Sequence, residues 1–201
     1  EISACLVGSE MCIRDRYGVD LSMFKPLPNI PKKYDVIMVG GWGYEKGCDL
    51  IVEAIRKTNY SFIHVGSIKD VDFPQEKNFT HIDPVDQSKL IEYYNQAKVF
   101  ILPSRQDGFG MVLSQALACN LPIIGSNNCG APDLKKMVEL PEYITIIKDY
   151  TADAIVTAIH TAIKNYEQLG ERIYAGNAIE NLTWEAYGKR YANFLHKIIK
   201  Q

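Results

Sequence analysis

The chain has 201 residues, enough for one domain with a sizeable core. Its 47% hydrophobic and 23% charged content is that of a globular protein, and a net charge of -2 gives no general electrostatic attraction to nucleic acid. No apolar run reaches the ~20 residues of a membrane span, which argues against an integral membrane protein and leaves peripheral association open.

The segment 1–16 has no helical or strand period, although it holds Cys5 and Cys12. From Ser3 to Arg16 it resembles translated sequencing-adapter sequence. It is also no signal peptide, because its arginines follow the apolar stretch instead of preceding it. The expectation is a non-native start, a native polypeptide that extends further upstream, and a chain that is a fragment. The odd count of five cysteines and the absence of any Cys-x-x-Cys predict reduced thiols in a reducing, cytoplasmic compartment. The four histidines are scattered, without metal-ligand spacing.

Residues 17–31 contain three prolines and read as an interdomain linker or first docking segment, with a single domain expected over 32–201. Val36–Val39 is a continuous apolar run ending at two glycines, the pattern of a buried parallel strand. Asp49–Thr58 carries Leu50, Ile51, Ala54 and Ile55 on one helical face. Phe62–Val65 and a short Thr80–Ile82 are further strands. Asp86 is a candidate N-cap for a helix whose Leu90, Ile91, Tyr94 and Ala97 share a face. A strand at Val99–Leu102, a helix at Met111–Cys119 and a strand at Leu121–Ile124 make a βαβ unit. Tyr143–Ile147 is the last predicted strand. Thr151 caps a helix carrying Ile155, Ile159 and Ile163 and ending near Gly170. A final helix from Thr183 shows Trp184, Tyr187, Tyr191, Phe194 and Ile198. This alternation predicts an α/β fold with a mostly parallel sheet covered on both faces, and a ligand crevice beyond the strand carboxyl ends.

The glycine-rich loops at 40–47 and 107–110 both follow strands, so both should open onto that crevice. Asp107 and Gln115 lie eight positions apart, ~12 Å along a helix at ~1.5 Å per residue, astride a helix start suited to a phosphate. Asp107 can accept from two sugar hydroxyls, and Gln115 can accept from or donate to a ribose. Gly108 and Gly110 let the backbone approach a ligand. The ordinary reading is a turn aspartate and a solvated glutamine. Two other patterns compete. Gly41-Trp42-Gly43 with Gly47 resembles a dinucleotide fingerprint, but the last glycine is one residue late and Asp70 is the sole candidate carboxylate. Asp70-Val71-Asp72 is an Asp-x-Asp, a metal signature whose ordinary counterpart is an acidic surface loop.

The stretch Pro103-Ser104, Asp107-Gly108-Phe109-Gly110, Gln115-Ala116-Leu117-Ala118, Pro122 and Cys129-Gly130 resembles the donor site of retaining glycosyltransferases with two Rossmann-like domains (the GT-B fold), in particular glycosyltransferase family 4, group 1. Tyr17-Gly18-Val19-Asp20, Val39-Gly40-Gly41 through Lys46-Gly47, and Trp184-Glu185 extend the likeness over most of residues 17–201. The resemblance implies the Rossmann-like C-terminal half of a GT-B enzyme that binds a nucleotide-diphospho-sugar. It implies transfer to an acceptor hydroxyl with retention, without a metal or other cofactor, in polysaccharide or glycoconjugate synthesis. It implies catalytic roles for Lys46 and Asp107, and a donor site formed by Gly41, Lys46, Asp83, Val85, Asp107, Gly108, Phe109, Gly110, Met111, Val112 and Gln115. The partner would be an N-terminal acceptor domain, through which peripheral membrane association could run. Asp107 and Gln115 each stand where the family has Glu, and Gly41 where it often has a diphosphate-binding Arg. A sugar-nucleotide epimerase of the same fold and a non-catalytic binding module are the alternatives.

Overall fold

The computed structural model describes residues 18–137, 141–169 and 180–199. The segment 1–16, Tyr17 and the helix end expected at Gly170 lie outside the described residues, as do the side chains of Phe194 and Ile198.

Six strands form one sheet: β1 (Tyr34–Val39), β2 (Phe62–Val65), β3 (Phe79–Ile82), β4 (Ala97–Leu102), β5 (Ile123–Ser126) and β6 (Ile144–Ile147). Their order is β3-β2-β1-β4-β5-β6, and every pairing is parallel. Parallel strands require long crossovers, which lay helices on both faces, so the central strands carry unbroken apolar runs. Val36 to Val39, Val99 to Leu102, and Ile123 and Ile124 are all buried.

The helices are α1 (Cys48–Lys57), α2 (Gln87–Gln96), α3 (Met111–Ala118), α4 (Ala131–Lys135), α5 (Ala152–Leu169) and α6 (Trp184–Ile199). α1 and α5 pack on each other and bury Ile51, Ile55, Ile155, Ile159 and Ile163. α2 and α3 cover the opposite face, as right-handed crossovers running in opposite directions from the sheet centre require. The sheet order reverses between β1 and β4, and there the crossovers after these two strands lead to opposite faces of the sheet. That switch point is where a doubly wound sheet leaves a crevice.

Local departures from the predicted elements have physical causes. β5 begins two residues later than expected, because Pro122 has no N–H for the ladder and Asn120 adopts a left-handed φ of 65°. It then runs on through Gly125, where a Cβ would fall 2.3 Å from that of Ala131. Helix α4 escapes the sequence pattern because Pro132 reads as a breaker, whereas proline suits a first turn. Asp86 holds the N-cap position of α2, but its side chain makes no capping bond; its carbonyl accepts from Lys89 N instead. Thr151 and Thr183 do cap, each accepting a backbone N–H three residues on at 3.2 Å.

The proline-rich segment is fastened to the domain. Val19 and Phe24 are buried, Val19 N donates to Leu182 O at 2.7 Å, and Asn95 Oδ1 accepts from Leu27 N at 2.7 Å. Cys48, Cys119 and Cys129 are unpaired and buried, and burial pushes the first two thiols up to about 12. Such thiols are inert. Among the described residues no helix is long and apolar enough to cross a membrane.

Candidate functional site

The loop after β1 leaves the sheet through Gly40, at φ 128°. Trp42 then pairs with the loop after β2: its N–H donates to Ser67 O at 2.7 Å, and its carbonyl accepts from Lys69 N at 2.9 Å. A single 3-10 turn, Tyr44–Lys46, follows and closes through Gly47 N to Tyr44 O at 2.9 Å. Gly47 has φ 74°, and a Cβ there would lie 2.4 Å from the Pro103 carbonyl oxygen. Only glycine allows both that backbone and that approach. The β1 and β4 loops therefore touch.

The β4 loop is stitched to the first loop by Arg105. Its backbone N–H donates to Glu45 O at 2.8 Å. Its guanidinium donates to both Asp49 oxygens, at 2.6 and 2.8 Å, and to Tyr44 O at 2.7 Å, and it lies 3.7 Å from the Tyr44 ring centroid. The bond to Asp49 raises the Arg105 pKa above its usual value, so the fork stays charged. From the far side, Asn128 Nδ2 donates to Arg105 O at 2.8 Å, and Asp107 N donates to Asn128 O at 3.0 Å.

Within this frame Lys46 Nζ meets Asp107 Oδ2 at 2.7 Å, the two side chains only 20% and 16% exposed. Ser104 Oγ is 3.5 Å from the same oxygen. The pair stands beside the start of α3. Gly110 precedes that helix at φ 71°, and no side chain caps it. The Gly110 and Met111 N–H groups donate to no described residue, so the positive end of the helix is open. Gly108 faces open space and Met111 is exposed, whereas Val112 is partly buried against the core. The Phe109 ring is buried, so little beyond its backbone can meet a ligand; a Cβ at Gly130 would fall 2.2 Å from Phe109 O and 2.7 Å from its ring.

Gln115 is 6% exposed, not a solvated helix residue. Its Oε1 accepts from Tyr94 Oη at 3.1 Å, and burial raises the Tyr94 pKa well above 10, so the phenol remains a donor. The Gln115 oxygen is thereby occupied, and its Nε2, which donates to no described residue, is the group left for a ligand.

Asp83 and Val85 lie apart from this cluster, after β3 at the sheet edge. Asp83 is exposed and Val85 partly buried. A chain of bonds links Asp83 back to the β1 loop: Asp83 Oδ1 to His81 Nε2 at 3.3 Å, His81 Nδ1 to His64 Nδ1 at 3.0 Å, and His64 Nε2 to Gly40 O at 2.8 Å. Gly41 carries the Lys69 side chain against it. Asp70 Oδ1 accepts from Tyr44 N at 2.8 Å, a structural bond within the Asp-x-Asp. Among the described residues no three His, Cys, Asp or Glu side chains gather as a metal site would require.

The structure thus brings Lys46, Asp107 and residues 108–112 together, sets Gln115 behind them, and keeps Asp83 and Val85 at a distance. Arg105, Tyr94 and Lys69 escape sequence reasoning. Arg105 lies inside the motif, but its partner is far along the chain; Tyr94 reads as an ordinary core residue of an amphipathic helix.

Residues 21–178 match the family described as glycosyl transferases group 1. A probable sucrose-phosphate synthase of Thermosipho melanesiensis is 30% identical over 116 residues, covering 55% of this chain and 26% of that protein. A GDP-mannose-dependent alpha-(1-6)-phosphatidylinositol monomannoside mannosyltransferase of Mycolicibacterium smegmatis is 27% identical over 212 residues, covering 89% and 54%. The chain therefore spans about half, or less, of the length of these relatives. Among solved structures, the C-terminal domain of the group 1 glycosyl transferase LpcC of Francisella tularensis superposes with a TM-score of 0.66 at 21% identity, covering 81% of this chain and 95% of that one. HepE of Anabaena, solved with UDP and glucose, superposes at 0.69 and 17%, covering 89% and 55%. The fold is that of the C-terminal half of a GT-B glycosyltransferase. The match over most of its length shows that the chain belongs to the glycosyl transferases group 1 family.

Proposed function

We propose that the chain is the donor-binding half of a retaining, metal-independent glycosyltransferase that moves a sugar from a nucleotide diphosphate to an acceptor hydroxyl. The observation that carries this reading is the Lys46–Asp107 pair at 2.7 Å beside the uncapped start of Met111–Ala118, in the crevice between β1 and β4. A cation and unpaired amides suit a diphosphate, and a carboxylate suits the hydroxyls of the sugar beyond it. During transfer, negative charge grows on the departing diphosphate. Lys46 and the Gly110 and Met111 amides offset it without reorganising. Gln115 Nε2 donates to the ribose, and the backbone from Asp83 to Val85 lines the base pocket. No protein nucleophile is assigned.

The acceptor is held by an N-terminal domain of the same polypeptide, in keeping with the 54% coverage of the mannosyltransferase relative. The domain begins near residue 32, with 17–31 as the connection and 1–16 foreign to the native protein. On this reading the whole protein works in the cytoplasm in glycoconjugate synthesis, touches no nucleic acid, and meets membranes only peripherally. The 201-residue chain by itself binds donor weakly and transfers little.

The test is calorimetry with a panel of UDP-, GDP- and ADP-sugars against the chain and its Lys46→Ala variant. One sugar nucleotide should bind, and the variant should weaken it roughly tenfold, the worth of a charge-assisted hydrogen bond. Unchanged affinity would remove Lys46 from the phosphate site.

A further inference from the structure

The charge balance of this crevice leaves a diphosphate short of positive partners. Lys46 is matched by Asp107 at 2.7 Å, and Arg105 by both oxygens of Asp49. A departing nucleoside diphosphate carries more negative charge than a neutralised pair and a helix start supply. Lys69, in the loop after β2, is exposed, and among the described residues no carboxylate lies within 4.0 Å of its ammonium.

Its position is not that of a free surface lysine. The backbone is bound to the β1 loop, with Lys69 N donating to Trp42 O at 2.9 Å and Trp42 N to Ser67 O at 2.7 Å. Trp42 is itself buried, its ring centroid 4.9 Å from that of His64 and 5.2 Å from that of Phe79. From that anchored backbone the lysine tail lies across Gly41. A Cβ at residue 41 would fall 2.5 Å from Lys69 Cε, 3.1 Å from Cδ and 3.3 Å from Nζ. Any side chain at 41 would therefore displace the lysine. The next residue turns the other way: Asp70 Oδ1 accepts from Tyr44 N and faces Gly43, so it makes no ion pair with Lys69.

We infer that Lys69 is a second phosphate-binding cation of the nucleotide site, reaching in from the β2 loop and seated on Gly41. The inference rests on the donor-site reading above. It makes the glycine at 41 a seat for a charge brought from elsewhere in the chain, and it gives the crevice the unmatched positive charge that a diphosphate needs.

The test is calorimetry of the 201-residue chain at low salt with UDP, GDP and ADP and with the three matching nucleosides. For the nucleotide that binds best, Lys69→Gln should weaken the diphosphate roughly tenfold, leave its nucleoside unchanged and flatten the salt dependence, while Lys69→Arg stays near wild type. Gly41→Val should act as Lys69→Gln does, because its Cβ dislodges a flexible tail and not backbone, and should add nothing in the Lys69→Gln background. Diphosphate affinity unmoved by Lys69→Gln while Lys46→Ala weakens it overturns this inference alone. Equal losses for nucleoside and diphosphate overturn it too, since they mark a disturbed loop. If the wild-type chain binds none of the three diphosphates, the donor-site reading falls and this inference with it.

Discussion

His64 is wholly buried, and its two ring nitrogens settle its proton. Nε2 donates to Gly40 O at 2.8 Å, so Nδ1 is the lone-pair nitrogen and accepts from His81 Nδ1 at 3.0 Å. Its pKa is lowered to about 4, chiefly by burial, with the Gly40 bond opposing and the His81 charge adding to the fall. The other groups facing it are the Trp42 and Phe73 rings, with Asp83 beyond His81. Above the ordinary pKa of about 6.5 the ring is neutral folded and unfolded, and its contribution to stability is complete. As pH falls from there towards 4, the unfolded chain takes up a proton that the folded one refuses, and stability drops by up to about 3 kcal/mol. Scanning calorimetry between pH 7.5 and 4.5 should show the wild-type Tm falling more steeply than that of His64→Gln; parallel curves would relieve His64 of the effect. Gln115 shows the same economy of partners. A neutral amide can take the Tyr94 proton on its oxygen and still offer an N–H outward, which a carboxylate in the same place could not do.

At the level of elements, the β1 and β4 loops behave as one piece because Arg105 and Gly47 join them. Arg105→Ala removes a bidentate pair to Asp49, a bond to Tyr44 O and a stacking contact, all partly screened by solvent. The expected loss is about 1–2 kcal/mol, with faster hydrogen exchange at the Lys46 and Gly47 amides and weaker nucleotide binding, although Arg105 faces Asp49 and not the crevice. Unchanged exchange in that turn would mean that Arg105 is not what holds it. Arg105→Lys should recover only part, lacking the planar fork. This clamp also marks how far the sequence could be read. The strands were legible because parallel strands buried on both faces are unbroken apolar runs, and the crevice followed from their alternation with helices. The loops were legible as belonging to one site, yet the contacts inside it were not: Arg105 finds Asp49 across 56 positions and Lys46 finds Asp107 across 61, and no local period encodes such a meeting. For the same reason Gln115 reads as solvated on a helix wheel, whereas it is buried and bonded to Tyr94, 21 positions away. Trp184 and Tyr191 of the last helix, read from the sequence as part of its aromatic pattern, stand exposed on it, and so does Leu195.

For the whole molecule, the crevice carries its own counter-ions: Lys46 and Asp107 hold one another where the donor reading puts diphosphate and sugar. Binding must then exchange partners, the ammonium turning to phosphate and the carboxylate to hydroxyls. Asp107→Asn separates the two halves of that exchange. It releases Lys46 from a partly buried pair worth about 1 kcal/mol, so the affinity for the free nucleoside diphosphate should rise roughly fivefold. It also replaces a charged acceptor by a neutral amide, so the sugar nucleotide should gain less than the diphosphate, or lose affinity outright. Calorimetry gives both dissociation constants, and the Kd of the diphosphate divided by that of the sugar nucleotide should fall in Asp107→Asn relative to wild type. A parallel loss for both ligands would instead mean that the ion pair shapes the β1 and β4 loops for binding, and that Asp107 acts through Lys46 and not on the sugar.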